Sequence, residues 1–122
     1  MSWILVVDDE EDISSFLKFV LENEDFRVVT AASLAEARAT LAESDPPAAV
    51  LLDRGLPDGD GLEICRELRG ADAKKPAIVV LSARKNPEEI QEGLAAGADD
   101  YITKPFQFVS VVDRVKSLGA RA

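Results

Sequence analysis

Trp3-Ile4-Leu5-Val6-Val7-Asp8-Asp9-Glu10 sets five apolar residues, three of them β-branched, directly ahead of three acids. So short and uniformly apolar a run reads as a strand buried on both faces, the habit of a parallel sheet. Four more runs repeat it: Phe26 to Thr30, Ala49-Val50-Leu51-Leu52, Ala77-Ile78-Val79-Val80-Leu81 and Tyr101-Ile102. Between them apolar residues return every three or four positions, as at Ile13, Phe16, Leu17, Val20 and Leu21, and again at Leu34, Ala37 and Leu41. Those stretches are expected to be amphipathic helices. Two helix starts are marked: Ser33 with Glu36 forms a capping box, and Asn86-Pro87-Glu88-Glu89 offers an N-cap, a proline at the first position and first-turn acids. The last helix is expected from about Phe106. Strand and helix alternate five times, which implies an α/β fold: a doubly wound (βα)5 domain over residues 1–122, its parallel five-stranded sheet covered by helices on both faces through right-handed crossovers.

Composition excludes several classes of function. The 122 residues are 47% hydrophobic and 30% charged, which suits one domain with a single buried core. Lys and Arg number 14 against 23 Asp and Glu, and a net charge of -9 repels a phosphate backbone, so direct nucleic-acid binding by this chain is not expected. Without histidine the chain has no imidazole base, no His metal site and no phosphohistidine of its own. The lone Cys65 sits among apolar residues at helical spacing and reads as core, which suits a reducing cytoplasm. No apolar run approaches the roughly 20 residues that span a bilayer, and the start Met1-Ser2-Trp3-Ile4 lacks a signal-peptide pattern, so no membrane is implied and a cytoplasmic location is expected.

In a doubly wound sheet the ligand site lies beyond the carboxyl ends of the strands. After the first strand stand Asp8, Asp9 and Glu10, after the third Asp53, after the fourth Ser82 and Ala83, and after the fifth Thr103, Lys104 and Pro105; only the second offers nothing comparable. Each has a bland alternative. The early acids suit a helix N-terminus, Asp53 with Leu56-Pro57-Asp58-Gly59 suits a turn, Ser82 suits a cap, and Lys104-Pro105 suits a solvated loop. Together they converge on one rim, where at an effective dielectric of about 20 two carboxylates about 4 Å apart repel by roughly 4 kcal/mol. Such a cluster requires a cation. Hard oxygen donors without imidazole or thiolate favour magnesium completed by waters and a phosphate oxygen. Lys104 adds a fixed positive charge, and Ser82 with the following amide adds donors, so the set describes a site for a phosphoryl group.

Ile4 to Glu10, Leu51-Leu52-Asp53 with Leu56-Pro57 and Gly61, Leu81-Ser82-Ala83-Arg84, and Gly97 to Phe106 resemble the matching segments of response-regulator receiver domains, and the likeness covers essentially the whole chain. The resemblance implies a flavodoxin-like strand order 2-1-3-4-5 with the site at the switch point between strands one and three. It implies that Asp53 is the phosphoacceptor, attacking the phosphohistidine of a sensor histidine kinase or histidine phosphotransfer protein. It implies Mg2+ (or Mn2+) bound by Asp53, Asp9 and the Gly55 carbonyl, with Asp8 acting mostly through a water. Lys104 would pair with Asp53 before reaction and with the phosphoryl oxygens after it, and Lys104-Pro105 resembles a cis peptide of the family. Ser82 would swing its hydroxyl to the new phosphoryl group, the Ala83 amide would donate to it, and Tyr101 would rotate into the vacated space as the switch.

The output implied is a protein surface read by a downstream effector, with the chain a monomer or a weak phosphorylation-dependent dimer. Asp99, Asp100 and Arg114 suit part of a dimer interface of this family, whereas Ile90 and Ser110 stand where a base and an acid would pair across it. Gly55 and Arg84 flank the route of the hydrolytic water and bear on the acyl phosphate's lifetime. Val109 and Val112 fall off the Val111, Val115, Leu118 stripe, which suggests either an apolar partner surface or isolated surface valines. Two other functions are weighed. A magnesium-dependent aspartate-nucleophile phosphohydrolase would carry Asp-x-Asp after its first strand and a cap domain, where this chain has adjacent Asp8-Asp9. A receiver-like docking module without phosphorylation would not need the full chemical set.

Overall fold

A computed structural model describes residues 3–43, 45–71 and 76–119. The Met1-Ser2 start, on which the signal-peptide expectation bears, lies outside them. The chain runs β1 (Trp3–Val7), α1 (Glu11–Glu22), β2 (Arg27–Ala31), α2 (Leu34–Glu43), β3 (Ala49–Leu52), a short antiparallel hairpin of β4 (Gly55–Leu56) and β5 (Gly59–Asp60), α3 (Leu62–Ala71), β6 (Ala77–Ser82), α4 (Pro87–Ala95), β7 (Asp100–Thr103) and α5 (Phe108–Ser117). The long strands pair in parallel in the order β2-β1-β3-β6-β7, which is 2-1-3-4-5 once the hairpin is set aside. This is the doubly wound order expected from the sequence.

Strand alternation divides the core into two layers. In β1, Trp3, Leu5 and Val7 face one side with Leu34, Ala37, Leu62 and Cys65, while Ile4 and Val6 face the other with Leu17, Leu21, Val111 and Val115. Both faces are covered, so the strand has no polar position. Cys65 is buried as expected.

Three details differ from the sequence expectation. Phe16 lies on the predicted apolar stripe yet is 50% exposed; it stacks on Phe108 at 4.5 Å between ring centroids and meets Phe19, itself 61% exposed, edge to face. Twelve residues of α1 bury only Ser14, Leu17 and Leu21, a stripe too narrow to include Phe16. Val112 is buried and belongs to the core; only Val109, 62% exposed, faces outward. Finally α5 begins at Phe108 with Gln107 at its N-cap, so Phe106 belongs to the preceding loop.

The hairpin is tied down by long-range caps. Asp58 accepts from the amides of Leu34 (2.8 Å) and Ala35 (3.0 Å), so a turn residue satisfies the free N–H groups of α2 together with Ser33, whose hydroxyl accepts from Glu36 N at 3.1 Å. Glu36 completes the box one residue early, accepting from Ala32 N at 3.0 Å. These amide bonds, that to Leu34 first, hold the Asp58 carboxyl below its ordinary range. At α4 the predicted cap forms as drawn, with Asn86 Oδ1 accepting from Glu89 N at 2.9 Å.

Candidate functional site

The carboxyl ends of β1, β3, β6 and β7 lie side by side, which brings Asp8, Asp53, Ser82 and Lys104 to one rim. The turn after β3 passes so close to the chain that Gly61 can carry no side chain: a Cβ there would stand 2.0 Å from the carbonyl oxygen of Asp53. Asp53 is thereby held in place, its amide donating to Val7 O at 2.8 Å and its Oδ1 accepting from Gly55 N at 3.4 Å.

Lys104 is the centre of the charge arrangement. Its Nζ lies 2.7 Å from Glu10 Oε1, 3.0 Å from Asp8 Oδ2 and 3.3 Å from Asp53 Oδ2, and the peptide bond that follows it is cis. Burial alone would lower the Lys104 pKa, but the hydrogen bonds to Glu10 and Asp8 outweigh it and raise it, so the ammonium is permanently charged. For Asp8 burial wins instead. It raises the carboxyl's pKa, aided by the nearby Asp53 charge and opposed by the Glu10 amide and Lys104.

Three carboxylates, those of Asp8, Glu10 and Asp53, each offer an oxygen within 4.8 Å of the others. One ammonium among three such groups leaves two formal negative charges uncompensated, and all donors are hard oxygens, a set that fits a divalent ion of the magnesium type. Asp9, the sequence candidate for direct ligation, is exposed and lies outside these three, whose third member, Glu10, is bonded to Lys104.

The remaining candidates ring this centre. Ser82 is buried, and its hydroxyl accepts from Arg84 N at 3.1 Å, while its carbonyl accepts from Lys104 N at 2.8 Å. Ala83 lines an apolar groove of about 490 Å³ with Glu10, Ile13, Lys104, Phe106 and Phe108. Tyr101 packs its ring against the first core layer and donates its hydroxyl to Arg84 O at 2.6 Å. The dimer-interface candidates are engaged within the chain: Asp99 pairs with Arg69 at 2.7 Å and Asp100 with Arg114 at 2.6 Å.

One residue the sequence did not single out stands beside the site. Arg54, next to Asp53, is 2% exposed and its guanidinium bonds Asp60, Glu92 and the Glu89 carbonyl. An arginine in a turn carries no local signal of burial, and its partner Glu92 lies 38 residues along the chain.

A doubly wound sheet with paired acids, a half-buried lysine and a buried serine at its switch point suits a phosphoryl group, and the comparisons point to a signalling domain. The chain matches the response regulator receiver domain family over residues 4–116. It is 42% identical over 119 residues to the alkaline phosphatase synthesis transcriptional regulatory protein PhoP of Bacillus subtilis, covering 98% of this chain and 49% of that protein. It is equally 42% identical over 120 residues to the phosphate regulon transcriptional regulatory protein PhoB of Rhizobium meliloti, covering 98% and 52%. The solved receiver domain of the Francisella response regulator 1452 superposes with a TM-score of 0.86 at 30% identity, over 97% of this chain and 96% of that one.

The chain belongs to the response regulator receiver domain family, and it spans about half the length of the curated relatives it matches. It is thus a receiver domain of the two-component kind, a signalling domain rather than a classical turnover enzyme. Receiver domains take phosphate from histidine kinases and bind Mg2+ at an acidic cluster. Among the described residues no helix is long and apolar enough to cross a membrane.

Proposed function

We propose that residues 1–122 form one receiver unit in which Asp53 takes a phosphoryl group from the phosphohistidine of a sensor histidine kinase or histidine phosphotransfer protein. The observation that carries this is the Lys104 ammonium shared between Asp8 and Asp53, within a carboxylate cluster two charges short of neutral. A carboxylate oxygen of Asp53 attacks phosphorus, the P–N bond to the donor imidazole breaks, and an acyl phosphate is left on this chain. Mg2+, or Mn2+, would be held by Asp53, Asp8, Asp9 and the Gly55 carbonyl, and when bound it supplies neutralisation of the developing phosphoryl charge.

Lys104 then shifts from the Asp53 carboxylate to the phosphoryl oxygens, and the Ala83 amide donates to them. Ser82 leaves Arg84 N and turns its hydroxyl to the same group, and Tyr101 rotates inward into the space released. The acyl phosphate carries close to two negative charges where the carboxylate carried one, and it offers three phosphoryl oxygens as acceptors, so these donors bond differently before and after transfer, as any switch requires. The surface so altered engages a downstream protein effector or an output domain, in the cytoplasm and without direct contact between this chain and nucleic acid.

Intact-mass spectrometry after incubation with acetyl phosphate and magnesium tests the reading. One phosphoryl adduct is expected on the native chain, none without divalent metal and none on Asp53→Asn. No adduct from acetyl phosphate or from a phosphorylated kinase would leave a docking module as the better description.

A further inference from the structure

The chemistry above makes no use of Arg54, yet this cation follows Asp53 directly and is buried at 2% exposure. Its Nη2 bonds Asp60 Oδ2 and Glu92 Oε1, each at 2.8 Å; its Nε reaches Asp60 Oδ1 at 3.3 Å and its Nη1 the Glu89 carbonyl at 3.0 Å. One side chain therefore ties the turn after Asp53 to α4.

The hold is significant because α4 has little else. Of its nine residues only Gly93 is buried, and Leu94 is 41% exposed, so apolar packing does not fix the helix. Gly93 is itself the seat of the Tyr101 ring: a Cβ there would stand 2.6 Å from it. A second path enters from the phosphoryl side. Ser82 Oγ accepts from Arg84 N, Arg84 O accepts from Tyr101 Oη, and the Arg84 guanidinium lies 3.6 Å from Asp60, the same carboxylate that Arg54 holds.

We propose that Arg54 is a positioning residue that clamps α4 in the resting arrangement, so that phosphoryl transfer to the neighbouring Asp53 must be accompanied by loosening of its bond to Glu92. The inference rests on the reading of Asp53 as phosphoacceptor. When the Ser82 hydroxyl turns to the phosphoryl group, the Arg84 amide loses its acceptor, and the loop that carries Arg84 is free to draw away from Asp60 and Tyr101. The clamp's bonds belong to the resting arrangement alone, so they oppose the change by their whole differential strength. Weakening them raises the fraction of protein already in the accepting arrangement, and with it the rate of transfer.

Glu92→Gln is the decisive variant, because its carboxylate is half exposed and its loss leaves Arg54 bonded to Asp60 and the Glu89 carbonyl. Arg54→Met is the second. Hydrogen exchange of the α4 amides in the unmodified protein should rise about tenfold in either variant. The initial rate of adduct formation from acetyl phosphate at fixed magnesium should rise about fivefold or more, a gain that structural damage does not produce. A rate in Glu92→Gln at or below the native one, on protein that forms the adduct, overturns the clamp alone. Absence of adduct on the native chain overturns the phosphoacceptor reading and the clamp with it.

Discussion

Lys104, half-buried, and Arg54, buried, are cations that flank the same strand end, and they meet their acids on opposite terms. Lys104 faces Asp8, Glu10 and Asp53, three carboxylates to one ammonium. Arg54 faces Asp60 and Glu92, with Arg84 also near Asp60, so two guanidinium groups balance two carboxylates. The difference shows in the acids. Burial raises the Asp8 pKa despite the cation beside it, whereas for Asp60 the bonds from Arg54 and the Leu62 amide together outweigh burial and hold the carboxyl low. A cluster left short of positive charge is built to receive it; a balanced one is built to stay put.

Removing each cation's share of the work should separate the two. Lys104→Met leaves three acids without their only ammonium, two of them buried, and should cost about 3–5 kcal/mol of stability in metal-free buffer. Chemical denaturation with and without magnesium checks it, because a divalent ion bound by the native state alone should recover part of the loss. A variant as stable as the native protein in metal-free buffer would mean that the cluster is not short of charge.

How far this contrast was visible in the sequence depends on the reach of each interaction. Asp8, Asp53, Ser82 and Lys104 were legible because each follows an apolar strand, and parallel strands bring their carboxyl ends together whatever the intervening helices contain. Both layers of the core follow from the same periodicity, whereas the strand order comes from the resemblance to receiver domains. The burial of Arg54 and the bond from Lys104 to Glu10 were not legible. They depend on side-chain directions in turns, where no period operates. Asp58 is intermediate: its turn was plain, but its capping of α2 joins residues 24 apart and needs the tertiary fold.

On the balanced side, Asp60→Asn should cost about 2 kcal/mol near neutral pH, because it weakens a bidentate charged pair whose other member is fully buried. The pH dependence sharpens the assignment. A carboxyl held below its ordinary 3.8 in the fold contributes its stability in full above that value and loses it as pH falls through the lower, folded value. The deficit of Asp60→Asn should therefore be largest near neutral pH and shrink as denaturation is measured at successively lower pH below 3.8, as native Asp60 loses its charge. A deficit that does not change with pH would show that packing, not charge, accounts for it.

The smallest expected effect has the opposite sign. Asp8 binds its proton more tightly in the fold than in the unfolded chain, so its charged form is a liability to folding at pH values above its raised pKa. Asp8→Asn keeps an oxygen for the Glu10 amide, which Asp8 Oδ1 now accepts at 2.8 Å, and removes one of the three competing charges. The variant should be slightly more stable than the native protein in metal-free buffer at neutral pH. Adding magnesium should then stabilise it less than it stabilises the native chain, because the same carboxylate that strains the fold attracts the ion. A gain without metal joined to a loss with it would mark Asp8 as a residue retained for its chemistry at the expense of folding, the reverse of Asp60.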